Sequence, residues 1–271
     1  MRRFNNHKGV NMKSMMIKIA AAAIAGVLGM GNAFAQDATD TLIPAPVKAE
    51  NVVLVHGAWA DGSSWSKVIP ILQKAGLKVT AVQNRLTSLE DSNEDVRRAL
   101  AQQDGPTVLA GHSWSGTAIS DVGDAKNVSA LVYVAARAPQ AGEDFVALQK
   151  TFPDTPVRAG VKKVDGFTTV SEDAFLKYFA NGIPENEAKV YYAVQQPTAA
   201  SLFSEKTVHT AWKNKPSFYA VAANDMTISP EFERFLAKRM GAQTVTLDAG
   251  HLPMVSHPME IANLILKAAG R

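Results

Sequence analysis

The sequence predicts an α/β fold: a mostly parallel central sheet with helices on both faces. Three observations predict it. Short β-like runs, most of them apolar, recur along the chain, near 52–55, 78–82, 107–110, 130–134, 217–223 and 244–247. Amphipathic or small-residue stretches separate most of them, so strands alternate with helices as right-handed βαβ units require. The chain has 271 residues, and the 236 beyond residue 35 are enough for one domain with a sizeable core.

The first 35 residues read as a signal peptide. Arg2, Arg3, Lys8, Lys13 and Lys18 precede an apolar stretch from Ile19 to Met30, and Ala33-Phe34-Ala35 is a small-x-small cleavage site. The apolar run is short for a membrane span. Cleavage after Ala35 is therefore expected, giving a periplasmic or secreted protein with no stable membrane association. Met12, Met15 and Met16 are alternative starts. Residues 36–50, with Pro44 and Pro46, read as an extended lead-in to a domain over 51–271.

The leader also explains the basic balance. It holds five Lys/Arg and no Asp/Glu, so 28 basic and 25 acidic residues become 23 and 25 without it, a formal charge of −2. No nucleic-acid partner is implied. Absence of cysteine excludes disulfides, a lipidated cysteine and cysteine-ligated metal. No two of the six histidines have metal-ligand spacing with an acidic partner, so no metal is expected.

The elements follow in order. A strand at 52–55 leads to a helix near 64–75, where Trp65, Val68, Ile69 and Leu72 share a face and Gly76 closes the end. A strand near 78–82 and a polar helix near 93–103 precede Thr107-Val108-Leu109-Ala110, and Thr117-Ala118-Ile119-Ser120 is helical beyond the next turn. A strand at 130–134 follows. Alternation then stops between Pro139 and Pro216, an insert rich in aromatics that reads as a helical cap. After Ser217–Ala223, Ser229 and Pro230 start a helix, Phe232, Phe235, Leu236 and Met240 form its buried face, and Gly241 ends it.

Between the third strand and its helix lies Gly111-His112-Ser113-Trp114-Ser115-Gly116. A serine at a sharp strand-to-helix turn projects its oxygen out of the sheet and frees the next backbone N–H to bind an oxyanion. Small neighbours are needed where strand and helix nearly collide. Ser115 stands where the usual motif has glycine. Asp225 and His251 both follow strand ends, the edge where parallel sheets bind ligands. A serine hydroxyl is a poor nucleophile; His251 would take its proton, and Asp225 would hold the imidazole in the right tautomer. Asp248 is too close to His251 in sequence to reach behind its ring. Asp121 and Asp124 are expected to face solvent. At the end of the first strand, His56-Gly57-Ala58-Trp59 can turn a backbone N–H toward the same point, so Ala58 and Trp114 are the expected oxyanion donors.

These stretches resemble the α/β-hydrolases, in particular the branch containing plant methylesterases, hydroxynitrile lyases and small bacterial esterases. The matching residues are Val53-Leu54-Val55-His56-Gly57-Ala58-Trp59, Gly111-His112-Ser113, Ile228-Ser229-Pro230-Glu231-Phe232 after Asp225, and Gly250-His251 with Ser256-His257-Pro258. The resemblance covers about 50–270, the cap only loosely. It implies cofactor-free catalysis with Ser113 as nucleophile, Asp225 as acid and His251 as base. A small-molecule carboxylic ester is the implied substrate, with Trp59, Trp114 and Leu252 as candidate pocket residues. Hydroxynitrile lyases of the branch carry threonine and lysine where this chain has Gly57 and Leu252, which favours ester hydrolysis. Carbon–carbon bond hydrolysis or hydroxynitrile cleavage on the same triad, or ligand binding without turnover, are the alternatives. His56 and His112 are read as packing or hydrogen-bonding residues near the turn, and His209 and His257 as surface or capping residues.

Overall fold

The computed structural model describes residues 47–271. The expected signal peptide and most of the 36–50 lead-in lie outside the described residues. The first half contains β1 (Asn51–Val55), α1 (Ile69–Lys74), β2 (Lys78–Val82), α2 (Leu89–Ala101), β3 (Thr107–His112), α3 (Gly116–Val122) and β4 (Val128–Val134). The insert holds α4 (Phe145–Gln149), β5 (Val161–Val164), β6 (Phe167–Val170), α5 (Glu172–Ala174), α6 (Glu185–Ala193) and β7 (Thr198–Ala199). Then come β8 (Ser217–Ala222), α7 (Pro230–Arg239), β9 (Gln243–Leu247), α8 (Pro253–Ser256) and α9 (Pro258–Ala268).

Among the described residues, six strands form the main sheet in the order β2-β1-β3-β4-β8-β9, every neighbouring pair parallel. Its four inner strands, β1, β3, β4 and β8, are largely apolar and buried because both faces are covered, while the edge strands β2 and β9 carry polar residues and are partly exposed. Val52 and Leu54 face one side, with Leu72 of α1 and Ile261 and Ile265 of α9. Val53 and Val55 face the other, with Val96 of α2, Ile119 of α3 and Leu236 of α7. Each such side chain contributes roughly 1.5–3 kcal/mol by leaving water. The chain passes from β1 to β2 on one side, then crosses so that β3 pairs with β1 on the other. The loops leaving β1 and β3 therefore part, and a crevice opens at their C-terminal ends.

Several expectations need correction. The helix expected over 64–75 is split into a 3-10 turn, Gly62–Trp65, and α1. Pro70 has no N–H to continue a helix and is tolerated only in a first turn. The polar helix begins at Leu89, not near 93, because the Ser88 hydroxyl accepts the Asp91 N–H at 3.0 Å and so caps it. Phe235 is 38% exposed and lies at the edge of the buried face of α7, against Phe152. Asp121 is buried: it accepts the Val208 and His209 N–H groups and the Asn93 amide, tying the insert to α3. Asp124 is exposed.

The cap is not purely helical. It contains a three-stranded antiparallel sheet, β5-β6-β7. Val164 pairs with Phe167 across Asp165-Gly166, whose φ angles are 48° and 84°. Two positive φ values in a two-residue loop are what Asp-Gly supplies at a tight hairpin.

Candidate active site

Ser113 opens a 3-10 turn, Ser113–Ser115, directly after β3, with φ of +54°. That conformation costs a non-glycine residue roughly 1–3 kcal/mol and persists because its surroundings impose it. A Cβ on Gly116 would overlap the carbonyl oxygen of Arg137, and a Cβ on Gly57 would stand 2.7 Å from the Ser113 Cβ. The close approach of strand, helix and first loop therefore falls on Gly57 and Gly116. This explains how Ser115 can occupy the usual glycine position. Its hydroxyl lies 2.8 Å from both the Val55 and His112 carbonyls, tying the turn to β1.

The structure brings the three sequence-predicted side chains together. Ser113 Oγ is 2.8 Å from His251 Nε2, and His251 Nδ1 is 2.5 Å from Asp225 Oδ2. All three are buried. Asp225 Oδ1 accepts the N–H groups of Thr227 (2.6 Å) and Ile228 (2.9 Å), so the loop beyond β8 fixes the carboxylate orientation. Asp248 bonds the Asn224 amide at 2.6 Å and plays no part in this chain of bonds. The loop beyond β9 is pinned by His112, whose Nε2 donates to the His251 carbonyl at 2.8 Å. Burial, then the nearby His251, push the His112 pKa well down, so it stays neutral. His56 is likewise neutral, lowered by burial; its Nδ1 donates to the Gly57 carbonyl and its Nε2 accepts the Asn84 N–H. His209 is exposed, and His257 forms the N-cap of α9.

The Ala58 and Trp114 amides line the same cavity as Ser113 and donate to no acceptor among the described residues. The neighbouring Trp59 amide is spent on Thr198 Oγ1 (3.1 Å), and the Trp59 indole N–H donates to Thr168 Oγ1 (3.1 Å). Trp59 has φ of +57°, so these two cap threonines hold a strained loop in place. The cavity measures about 320 Å³ and is mostly apolar. Trp59, Trp114, Phe145 and Phe203 wall it, with Phe232 from α7. Leu252 does not: it is 2% exposed and lines a smaller cavity behind Trp59 and Phe179, because the chain turns into α8 straight after His251.

Sequence reasoning missed four residues at the site. Thr168 and Thr198 reach it only through the cap sheet. Arg137, discussed below, was visible as a lone cation in Ala135-Ala136-Arg137-Ala138 at a strand end. Glu233 is fully buried on α7 and accepts the Ala222 N–H at 3.0 Å. Burial, then the nearby Asp225 charge, push its carboxyl well above the usual range. The carboxyl is therefore held protonated, and its Oε1 has no hydrogen-bond partner among the described residues. A raised pKa stabilises the fold below the unfolded value of about 4.3, and this is lost as pH rises toward the folded value. Glu233→Gln keeps the Ala222 hydrogen bond without a titrating proton. Its melting temperature should therefore exceed the wild-type value by more at pH 8 than at pH 5, with activity retained. An equal difference at both pH values would contradict this.

Comparison with known proteins agrees with this picture. A family model described as "Alpha/beta hydrolase family" matches residues 52–264. A carbendazim hydrolyzing esterase from Nocardioides sp. (strain SG-4G) is 27% identical over 252 residues, covering 78% of this chain and 96% of that protein. Methylesterase 7 of Arabidopsis thaliana is 26% identical over 253 residues, covering 81% and 96%. Among solved structures, a pyrethroid hydrolase from Sphingobium faniae JZ-2 superposes with a TM-score of 0.67 at 22% identity, covering 81% of this chain and 97% of that one. Polyneuridine aldehyde esterase gives 0.69 at 19% identity, covering 80% and 98%.

Proposed function

Because the chain belongs to the alpha/beta hydrolase family, we propose that it is a serine hydrolase of small carboxylic esters. The observation that carries the reading is the chain of bonds Ser113–His251–Asp225 at a largely apolar cavity. Relatives along nearly their whole length are named as esterases, which supports it.

Ser113 Oγ attacks the ester carbonyl carbon as His251 Nε2 takes its proton. Asp225 holds the resulting imidazolium. The oxyanion accepts the N–H groups of Ala58 and Trp114, each worth roughly 3 kcal/mol in the transition state. His251 then gives the proton to the departing alkoxide, and the alcohol leaves. Water, losing a proton to His251, attacks the acyl-serine; His251 returns that proton to Ser113 Oγ as the C–Oγ bond breaks and the acid leaves. No step needs a metal or cofactor. A cyanohydrin-cleaving lyase would want a cation beside the base, and Leu252 brings none.

The test is labelling with an organophosphonate. Intact mass should rise by one adduct, mapped to Ser113, with a burst on a p-nitrophenyl ester as the acyl-enzyme forms. Both should be unaffected by EDTA. An adduct elsewhere, or efficient mandelonitrile cleavage with esters untouched, would overturn the reading.

We also propose that the protein is exported and cleaved after Ala35. The basic start, the Ile19–Met30 run and the Ala33-Phe34-Ala35 site support this. N-terminal sequencing of natively produced protein should begin at Gln36. A mature chain that retains Lys18 would refute it.

A further inference from the structure

The cavity above Ser113 holds a charge that the steps of ester hydrolysis do not use. Arg137 lies just beyond β4, its backbone N–H donating to the Ser113 carbonyl at 3.0 Å. It lines the cavity yet is only 6% exposed. Its guanidinium sits 4.3 Å over the Phe145 ring, and Nη2 donates to the Phe203 carbonyl at 3.2 Å. Nε is buried without any acceptor among the described residues.

Among the described residues, no carboxylate pairs with it. Glu143, whose charge it feels, is committed to Arg239 at 2.6 Å. Burial pulls the guanidinium pKa down to about 9, which still leaves it protonated at neutral pH. A buried cation without an anion is costly, and a guanidinium fork suits a carboxylate. The other charged lining residue is Arg158, and the lining contains no Asp or Glu. The cavity thus has an apolar body, a nucleophile at one side and an unmatched positive charge in its wall.

We propose that Arg137 forms an anion subsite, and that the preferred substrates are esters bearing a carboxylate away from the scissile bond, such as half-esters of dicarboxylic acids. This rests on the esterase reading above. In the reaction, a monomethyl dicarboxylate and water give the dicarboxylate, methanol and one proton. The Ser113 ester bond forms as the methoxy C–O bond breaks, and water then cleaves it. Arg137 does no chemistry; it holds the remote carboxylate.

Binding separates this from the esterase reading. In the Ser113→Ala protein, titration calorimetry should show monomethyl adipate binding at least tenfold more tightly than methyl hexanoate, which has the same chain without the carboxylate. The difference should vanish on adding Arg137→Met and persist in part with Arg137→Lys. Hydrolysis by the protein with Ser113 intact should show the same preference, mainly in KM. Equal binding of the two probes to the Ser113→Ala protein, which retains Arg137, overturns the anion subsite even if esters are hydrolysed. A preference that survives Arg137→Met overturns it too. If monomethyl adipate binds tightly but Ser113 takes no phosphonate and no ester is cleaved, the esterase reading fails while the anion site stands.

Discussion

Ser113→Ala is expected to lower kcat on a p-nitrophenyl ester by about a millionfold, the loss typical of removing a triad nucleophile. The substitution deletes one atom, Oγ, which hydrogen-bonds His251 Nε2 at 2.8 Å. Alanine keeps the Cβ, so the strain at φ +54° is unchanged and the melting temperature should barely move. The free amides of Ala58 and Trp114 and the cavity remain, so acceleration of roughly 1,000- to 10,000-fold over water should survive. Phosphonate labelling should disappear. His251→Ala should cost a similar amount, and the double variant little more, because serine and histidine act as one unit. Undiminished turnover by Ser113→Ala would remove the nucleophile from this reading altogether.

Much of the fold was legible because inner strands covered on both faces are written as apolar runs, and each site residue follows a strand. Thr107–His112 leads to Ser113, Ser217–Ala222 to Asp225, and Gln243–Leu247 to His251. The order along the chain therefore carried the site. What was misread depends on contacts distant in sequence. Asp121 lies in a helix that looks solvent-facing until amides from residues 208 and 209 arrive. Thr168 and Thr198 become partners of Trp59 only once the cap sheet forms. The sheet had a local signal, Asp165-Gly166 between two short β-rich segments. It was hidden because β5 is largely exposed and carries Lys162 and Lys163, so its burial shows no alternation. Leu252 is adjacent to the base in sequence but not in the cavity wall, because α8 starts there.

The second large effect is expected from Asp225→Asn, which should lower kcat by roughly 10,000-fold while leaving the fold intact. The reason lies in how this side chain is held. Oδ1 accepts two backbone N–H groups, from Thr227 and Ile228, and only an oxygen can occupy that place. An asparagine must therefore put its carbonyl there and turn its NH₂ toward His251 Nδ1. An NH₂ donates, so Nδ1 must surrender its proton and accept. The ring proton moves to Nε2, and Nε2 can no longer take the proton of Ser113. Every distance could stay as it is and the base would still be disabled. Asp248 cannot substitute, since it is held by the Asn224 amide. The measurement is kcat between pH 7 and 9, alongside the rate of phosphonate labelling and the melting temperature. Both rates should fall together, because the same proton transfer limits both. A loss of less than tenfold with the fold intact would mean that Asp225 does not set the tautomer of His251.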